Sequence, residues 1–137
     1  LITAWVALND VNIQNGAMMI IPGSHRWGQA MEASERTLEM DKTASKVKIP
    51  RGEKWEIVHC ELRAGAVSFH HAKTIHGSGP NHSDQPRLGL AIHMIADHVR
   101  YTSQGIYSHS NLKVCPRKEG DLFRGHQHPV IWGNETE

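Results

Sequence analysis

Apolar and polar residues alternate over several short stretches of this chain, with the period of two that is typical of half-buried β-strands. In residues 2–8, one face carries Ile, Ala, Val and Leu, and the other carries Thr, Trp and Ala. Further stretches of strand character lie at residues 17–21, 55–60 and 66–70, and on both sides of a loop at residues 77–86. Glycine, proline and asparagine separate these stretches, so the pattern predicts an all-β sandwich or barrel.

Two parts of the chain lack this alternation. Residues 28–46 are polar and rich in Glu, Ala, Met, Lys and Ser, which predicts a helical or irregular excursion. The chain beyond Ala96 is polar and predicts an irregular tail. We therefore expect residues 1–100 to form the C-terminal part of a β-domain, and residues 101–137 to form an extension that packs on or near it.

Length, charge and cysteine content narrow the class of protein. The 137 residues suffice for one domain with a modest core, or for part of a larger one. The formal charge of +1 argues against nucleic-acid binding through phosphate contacts, and no apolar run approaches the roughly 20 residues that span a bilayer. Cys60 and Cys115 have no metal-type spacing, which favours reduced thiols in a cytoplasmic protein. Because Leu1 lies inside a predicted strand and is not preceded by a methionine, we expect a fragment that lacks its N-terminal part.

The most informative stretch joins His76 to Arg87. His76 ends one apolar run, a loop of glycine, serine, proline and asparagine follows, and Arg87 opens the next run eleven residues later. This pattern predicts a β-hairpin that holds a metal-binding imidazole beside a guanidinium able to grip a carboxylate. Neighbouring strands lie about 4.8 Å apart, so one small dicarboxylic acid would reach both side chains.

Strand parity sharpens this prediction. Ser78 shares the face of His76, so the hydroxyl and the imidazole point the same way. Arg87 shares its face with Gly89 and Ala91, whose small size leaves space in front of the guanidinium, and a buried arginine facing a void needs an anion. The other face of this strand is apolar and should meet a packed layer.

These residues resemble the phytanoyl-CoA dioxygenase family of iron(II)- and 2-oxoglutarate-dependent oxygenases. The resemblance rests on residues 3–10 with Asn15-Gly16, on residues 21–25, and on residues 69–87 with their intact His-to-Arg spacing. It implies a double-stranded β-helix, a jelly roll similar to the cupin fold, that is incomplete here at its N-terminus. It also implies Fe(II), 2-oxoglutarate as cosubstrate, O2, and hydroxylation of a small organic substrate with release of succinate and CO2.

The resemblance assigns a role to four residues. His76 is similar to the distal histidine of the 2-His-1-carboxylate triad, and is therefore the expected catalytic and metal-binding residue. Arg87 is similar to the partner of the distal carboxylate of the cosubstrate, and Ser78 adds a hydroxyl to the same site. Trp5 matches a family tryptophan that lines the cosubstrate pocket.

Two of the three iron ligands of the family have no counterpart in this sequence. The His-x-Asp or His-x-Glu motif of the family precedes the strand of Trp5 and should lie upstream of Leu1. His82-Ser83-Asp84 has the right spacing but follows the distal histidine, so we interpret it as part of a turn. The fragment alone is therefore expected to be inactive.

Several alternatives stay open at the level of sequence. Arg87 could close an ion pair with Asp84 or Asp97 instead of binding a ligand, and Trp5 could be an ordinary core residue. The chain could also belong to a non-catalytic jelly-roll binding module, or to a cupin-like metalloenzyme that does not use 2-oxoglutarate. The expected partner is a small molecule, without nucleic acid or membrane, and the oligomeric state is undetermined.

Overall fold

Strands dominate the computed structural model, which describes residues 1–28, 40–103, 117–126 and 128–133. The chain divides into two compact units, Leu1–Met94 and Ile95–Glu137. The strands of the first unit are β1 (Ile2–Ala7), β2 (Met18–Ile20), β3 (Val58–Cys60), β4 (Val67–His71), β5 (His76–Ser78) and β6 (Gly89–Met94). A 3-10 helix at Ser24–Arg26 and a short α-helix, α1, at Met40–Ala44 complete the unit.

The six strands form two antiparallel sheets of three. One has the order β4-β1-β6 and the other the order β3-β2-β5, so the expectation of an all-β fold is confirmed. Each predicted strand is present, although the stretch at 55–60 pairs only at Val58–Cys60. Helix α1 lies within the predicted excursion at 28–46, of which residues 29–39 are outside the described residues.

The predicted β-hairpin between His76 and Arg87 is wrong. Strand β5 pairs with β2, whereas β6 pairs with β1 in the other sheet. The physical reason is the long connection at residues 79–88, which contains two prolines and far exceeds the two to five residues of typical hairpin loops. This connection carries the chain from one sheet to the other.

Side chains from the two sheets meet across the space between them. The rings of His70 on β4 and His76 on β5 lie 4.8 Å apart between centroids. Cys60 on β3 hydrogen bonds with Ser68 on β4. One face of each sheet is therefore turned toward the other, and we call this space the inner cavity. Its walls carry polar side chains as well as apolar ones.

Two apolar clusters are buried in the first unit. The larger one is built around Ile21, which has no exposed surface, together with the buried residues Trp27, Met40 and Ile75. The smaller one consists of Ala7, Val11 and Ala17, with Trp5 and Leu62 at its edge. Burial of these side chains stabilises the strands whose ends shape the cavity.

The outer face of the β4-β1-β6 sheet is apolar and open. Register places Phe69, Ala4 and Ile92 in one cross-strand row, and Val67, Val6 and Leu90 in the next. Phe69 is 68% exposed and Leu90 is 52% exposed. The sequence pattern predicts a packed layer on this face, and that stays a prediction.

The second unit is held together by local contacts. Arg100 and Leu122 form an isolated antiparallel bridge. Both the backbone N–H and the hydroxyl of Ser103 donate to Glu119 Oε2, and these bonds hold the pKa of that carboxyl below its usual value. Among the described residues, no helix is long and apolar enough to cross a membrane.

Candidate carboxylate and metal site

The guanidinium of Arg87 reaches across the inner cavity to strand β5. Its Nη1 donates a hydrogen bond of 2.9 Å to Ser78 Oγ. Asp84 accepts a bond from Gln85 and forms no ion pair with Arg87. The ion pair with Asp84 considered from the sequence is thus not formed.

The indole ring of Trp5 contacts the guanidinium of Arg87. Arg87 Cζ lies 5.6 Å from the centroid of the indole ring, within the range of a cation–π contact. Trp5 is half-buried and shares its face of β1 with Thr3 and Ala7, as its parity predicts. The prediction of empty space in front of Arg87 is partly wrong, because the indole of Trp5 fills the position above Gly89.

The imidazole of His76 is held in one tautomer. Its Nδ1 lies 2.7 Å from the carbonyl oxygen of Thr74, and only a protonated Nδ1 can donate that bond. The lone pair of the neutral ring is therefore on Nε2, which is the arrangement of metal-binding histidines with a backbone carbonyl as their outer partner. His76 is exposed and shares the face of Ser78 on β5.

The start of strand β5 is fixed by a buried serine. Ser24, which is 2% exposed, donates its hydroxyl proton to the carbonyl of Ile21 at 2.7 Å. The same oxygen accepts the backbone N–H of Ile75 at 2.8 Å. Because Ile75 immediately precedes His76, the 3-10 helix of residues 24–26 determines where the imidazole enters the cavity.

The loop that carries Arg87 is anchored at both of its ends. The Asn9 amide donates to the carbonyl of Pro86, and its oxygen accepts the N–H of Leu88 at 2.8 Å. These two bonds flank Arg87. At the other end, Gly16 has a φ of +84° and lies so close to Gly79 that a Cβ would come within 3.0 Å of its carbonyl oxygen.

A second histidine borders His76 in the cavity. His70 is buried, and its Nδ1 has no hydrogen-bond partner among the described residues. Burial lowers the pKa of His70, and the charges of His76 and His93 lower it further. His70 is therefore neutral over more of the pH range than a free histidine. His93 Nδ1 is hydrogen bonded with Thr3 Oγ1 at 2.9 Å.

Several other described histidines make contacts of their own. The rings of His25 and His71 are 5.6 Å apart between centroids. His82 belongs to the loop after β5, where its N–H donates to Gln14, and residue 83 bonds with Asn81, as expected for a turn. His128 accepts a bond from Arg117 in the second unit.

The side chains of this site are suited to bind the carboxylate of a small molecule and to provide one ligand to a metal ion. Arg87 and Ser78 offer hydrogen-bond donors at one place, and His76 offers a ring nitrogen on the same face of β5. Within the residues that the structure describes, no three histidine, cysteine or acidic side chains are grouped as metal ligands. His76 would thus be one ligand of a metal site that is completed by other ligands.

Sequence reasoning missed three supporting residues. Asn9 and Ser24 lie within the motifs that carry the resemblance, but their cross-chain bonds join positions far apart in sequence. No local signal in the sequence marks these bonds, because their partners lie more than fifty positions away. The sequence predicts Gly89 only as a small neighbour of Arg87, whereas in the structure the indole of Trp5 packs against it.

The chain matches known proteins over the same residues that form this site. The family model of phytanoyl-CoA dioxygenase matches residues 1–89. A phytanoyl-CoA dioxygenase of Arabidopsis thaliana is 29% identical over 93 residues, covering 66% of this chain and 31% of the relative. A probable alpha-ketoglutarate-dependent hypophosphite dioxygenase of Stutzerimonas stutzeri is 34% identical over 94 residues, covering 66% of this chain and 32% of the relative. The chain thus spans about a third of the length of these relatives.

Solved structures give the same picture of the fold. The non-heme alpha ketoglutarate dependent epimerase SnoN from nogalamycin biosynthesis is 31% identical, with a TM-score of 0.64 over 93% of this chain and 46% of that chain. SnoN in complex with Fe3+, alpha ketoglutarate and nogalamycin RO superposes with a TM-score of 0.68 at 30% identity, over 93% of this chain and 49% of that one. These likenesses support the predicted jelly roll, and the match of the family model over most of the first unit shows that the chain belongs to the phytanoyl-CoA dioxygenase family.

Proposed function

We propose that the full-length protein is an Fe(II)- and 2-oxoglutarate-dependent oxygenase that hydroxylates a small organic substrate and releases succinate and CO2. The observation that carries this proposal is the hydrogen bond between Arg87 and Ser78, on the same strand face as His76. Family membership supports it, and so do relatives whose names include alpha-ketoglutarate dependence. The free thiol of Cys60 fits the reducing cytoplasm that we propose as its location.

Arg87 and Ser78 would bind the distal carboxylate of 2-oxoglutarate. A guanidinium offers two parallel N–H donors to a carboxylate, and Ser78 already bonds one of its nitrogens and keeps a hydroxyl proton available. The indole of Trp5 limits how far the guanidinium can move, and it shields the charge pair from water on one side.

His76 would hold the iron through Nε2, because Nδ1 is engaged with the Thr74 carbonyl. The bound metal, with 2-oxoglutarate and O2, would supply the oxidising chemistry. The residues of this chain would bind and orient the metal and the cosubstrate. His76 would provide one metal ligand in the cavity, and Arg87 would fix the position of the distal carboxylate of the cosubstrate. A second histidine and a carboxylate would complete the iron site.

The experiment is a succinate assay on the full-length protein with Fe(II), 2-oxoglutarate and O2. We expect formation of succinate that stops on chelation and in His76→Ala. His59→Ala is the matched control, since His59 lies on the opposite face of its sheet, in register with Gly77. Succinate formation that persists in His76→Ala would contradict the proposal, and so would equal loss in both variants.

The same assay separates the two rival classes of function. A non-catalytic jelly-roll module would bind 2-oxoglutarate or another small acid without forming succinate. A cupin-like metalloenzyme would act without 2-oxoglutarate and would require several histidines of this chain around one metal. Within the described part of the chain, no such group of ligands occurs.

A further inference from the structure

The α-carbon of Gly89 lies directly against the indole of Trp5. A Cβ at this position would come within 2.8 Å of Trp5 Cη2, and closer still to Cε2 and Cζ2. Real Cβ atoms do not approach ring atoms so closely, so any side chain at residue 89 displaces the indole or the strand.

Strand register explains why the indole reaches this position. Strands β1 and β6 pair so that Trp5 is opposite Ala91, and Ala7 is opposite Gly89. Trp5 and Gly89 are therefore diagonal neighbours on the inner face, within reach of a long aromatic side chain. The ring lies across the glycine instead of standing beside it, since Gly89 has no side chain to oppose it.

The indole in turn lies beneath the arginine. Arg87 Cζ is 5.6 Å from the ring centroid, and its Nη1 bonds with Ser78. One continuous series of contacts thus connects strand β6 with strand β5, and it runs through Gly89, Trp5, Arg87 and Ser78. A side chain at residue 89 that displaces the rigid indole must therefore also displace the guanidinium of Arg87.

We infer that Gly89 is a positioning residue for the carboxylate-binding end of the site: its missing side chain lets Trp5 lie flat and hold Arg87 in register with Ser78. This inference rests on the proposed function, because it assumes that Arg87 binds the distal carboxylate of a 2-oxo acid. The effect does not come from backbone conformation, since Gly89 does not adopt a positive φ.

The test is a set of four variants of the full-length protein, with the dissociation constant for 2-oxoglutarate measured by calorimetry. Gly89→Ala should raise this constant about tenfold, as expected when a cation–π contact and a hydrogen bond are misaligned. Gly79→Ala is the matched control, because its added methyl would have only Met19 Cε nearby, at 4.0 Å. It should bind 2-oxoglutarate like the parent protein.

Phenylalanine at residue 5 lacks the outer indole atoms Cζ2 and Cη2, two of the three ring atoms that an alanine at residue 89 would meet. In a Trp5→Phe background, Gly89→Ala should therefore cost little or no further affinity, although it costs about tenfold in the parent. Binding of 2-oxopentanoate, which lacks the distal carboxylate, should be equal in the parent and in Gly89→Ala. A purely structural defect would weaken both acids and would not be rescued by the smaller ring.

Each outcome decides the inference. Gly89→Ala with parental affinity for 2-oxoglutarate overturns it, and so does an equal loss in both Trp5 backgrounds. Should Gly89→Ala fail to fold, Trp5→Leu removes the ring and leaves Gly89 unchanged; it must raise the dissociation constant about tenfold, and an unchanged constant contradicts the inference. If the parent protein itself does not bind 2-oxoglutarate, the proposed function has failed instead.

Discussion

Arg87 and Ser78 are hydrogen bonded at 2.9 Å although the strands beside them belong to different sheets. The bond therefore spans the inner cavity and does not follow a strand ladder. A half-buried loop residue such as Arg87 rarely holds a long side chain in one place without help, because ordering a flexible side chain costs entropy. Here the Trp5 ring and the two bonds of Asn9 supply that help.

The first prediction concerns the hydroxyl of Ser78. Ser78→Ala removes one hydrogen bond to Arg87 and one donor to the proposed carboxylate, so we expect 2-oxoglutarate binding to weaken by about 1–2 kcal/mol. Ser83→Ala is the control, since Ser83 bonds only within its own loop. Dissociation constants measured by calorimetry check the difference. Unchanged affinity in Ser78→Ala would mean that the hydroxyl does not contact the cosubstrate.

The second prediction concerns the buried Ser24. Its hydroxyl donates to the carbonyl of Ile21 and accepts the N–H of Ile75. Ser24→Ala therefore leaves the buried N–H of Ile75 without this acceptor, whereas the Ile21 carbonyl keeps the backbone N–H of residue 24. We expect a loss of about 2–3 kcal/mol in the free energy of unfolding. Ser45→Ala, at an exposed position with one local bond, should change it by less than about 0.5 kcal/mol. Urea denaturation of both variants provides the measurement; similar values would show that Ser24 does not brace strand β5.

The third prediction concerns Asn9, which holds the loop on both sides of Arg87. Asn9→Ala removes both bonds and should raise the KM for 2-oxoglutarate several-fold, with a smaller change in kcat, because the guanidinium loses its fixed position. Asn81→Ala, which loosens the same loop away from Arg87, is the control. A fall in kcat at unchanged KM would place the role of Asn9 elsewhere.

The fourth prediction concerns the pH dependence of Cys60 reactivity. Burial raises the pKa of this thiol, and the hydrogen bond with Ser68 partly offsets the rise. A raised pKa means less thiolate at a given pH, so alkylation of Cys60 should reach half its maximal rate at a higher pH than a free thiol. Ser68→Ala removes the offsetting bond and should move that midpoint higher still. Peptide mapping by mass spectrometry follows the alkylation of Cys60 alone. A midpoint below that of a free thiol would contradict the raised pKa of Cys60.

Local structure followed from the sequence, but sheet pairing did not. Alternation placed strands β1, β4 and β6 correctly, because each has six or five residues with a clear period of two. The same reasoning placed His76 and Arg87 in one hairpin. Pairing partners depend on loop length and on strands distant in sequence, and here β2 takes the position beside β5 that a hairpin would have given to β6.

The site was predicted in part for a similar reason. Parity correctly put His76 and Ser78 on one face, and Trp5 on the inner face of β1, since parity is a property of one strand. The space near Arg87 depends on what a neighbouring strand inserts, and the Trp5 indole occupies it. Bonds of Asn9 and Ser24 link residues more than fifty positions apart and leave no local trace in the sequence.

The most direct test of the account compares two acids that differ in one group. Dissociation constants for 2-oxoglutarate and for 2-oxopentanoate, which lacks the distal carboxylate, are measured in the full-length protein and in Arg87→Ala. The account predicts that the parent prefers 2-oxoglutarate by about 2–5 kcal/mol, the usual cost of leaving one partner of a desolvated charge pair unpaired, and that Arg87→Ala loses this preference. A preference that survives in Arg87→Ala would show that the carboxylate is bound elsewhere.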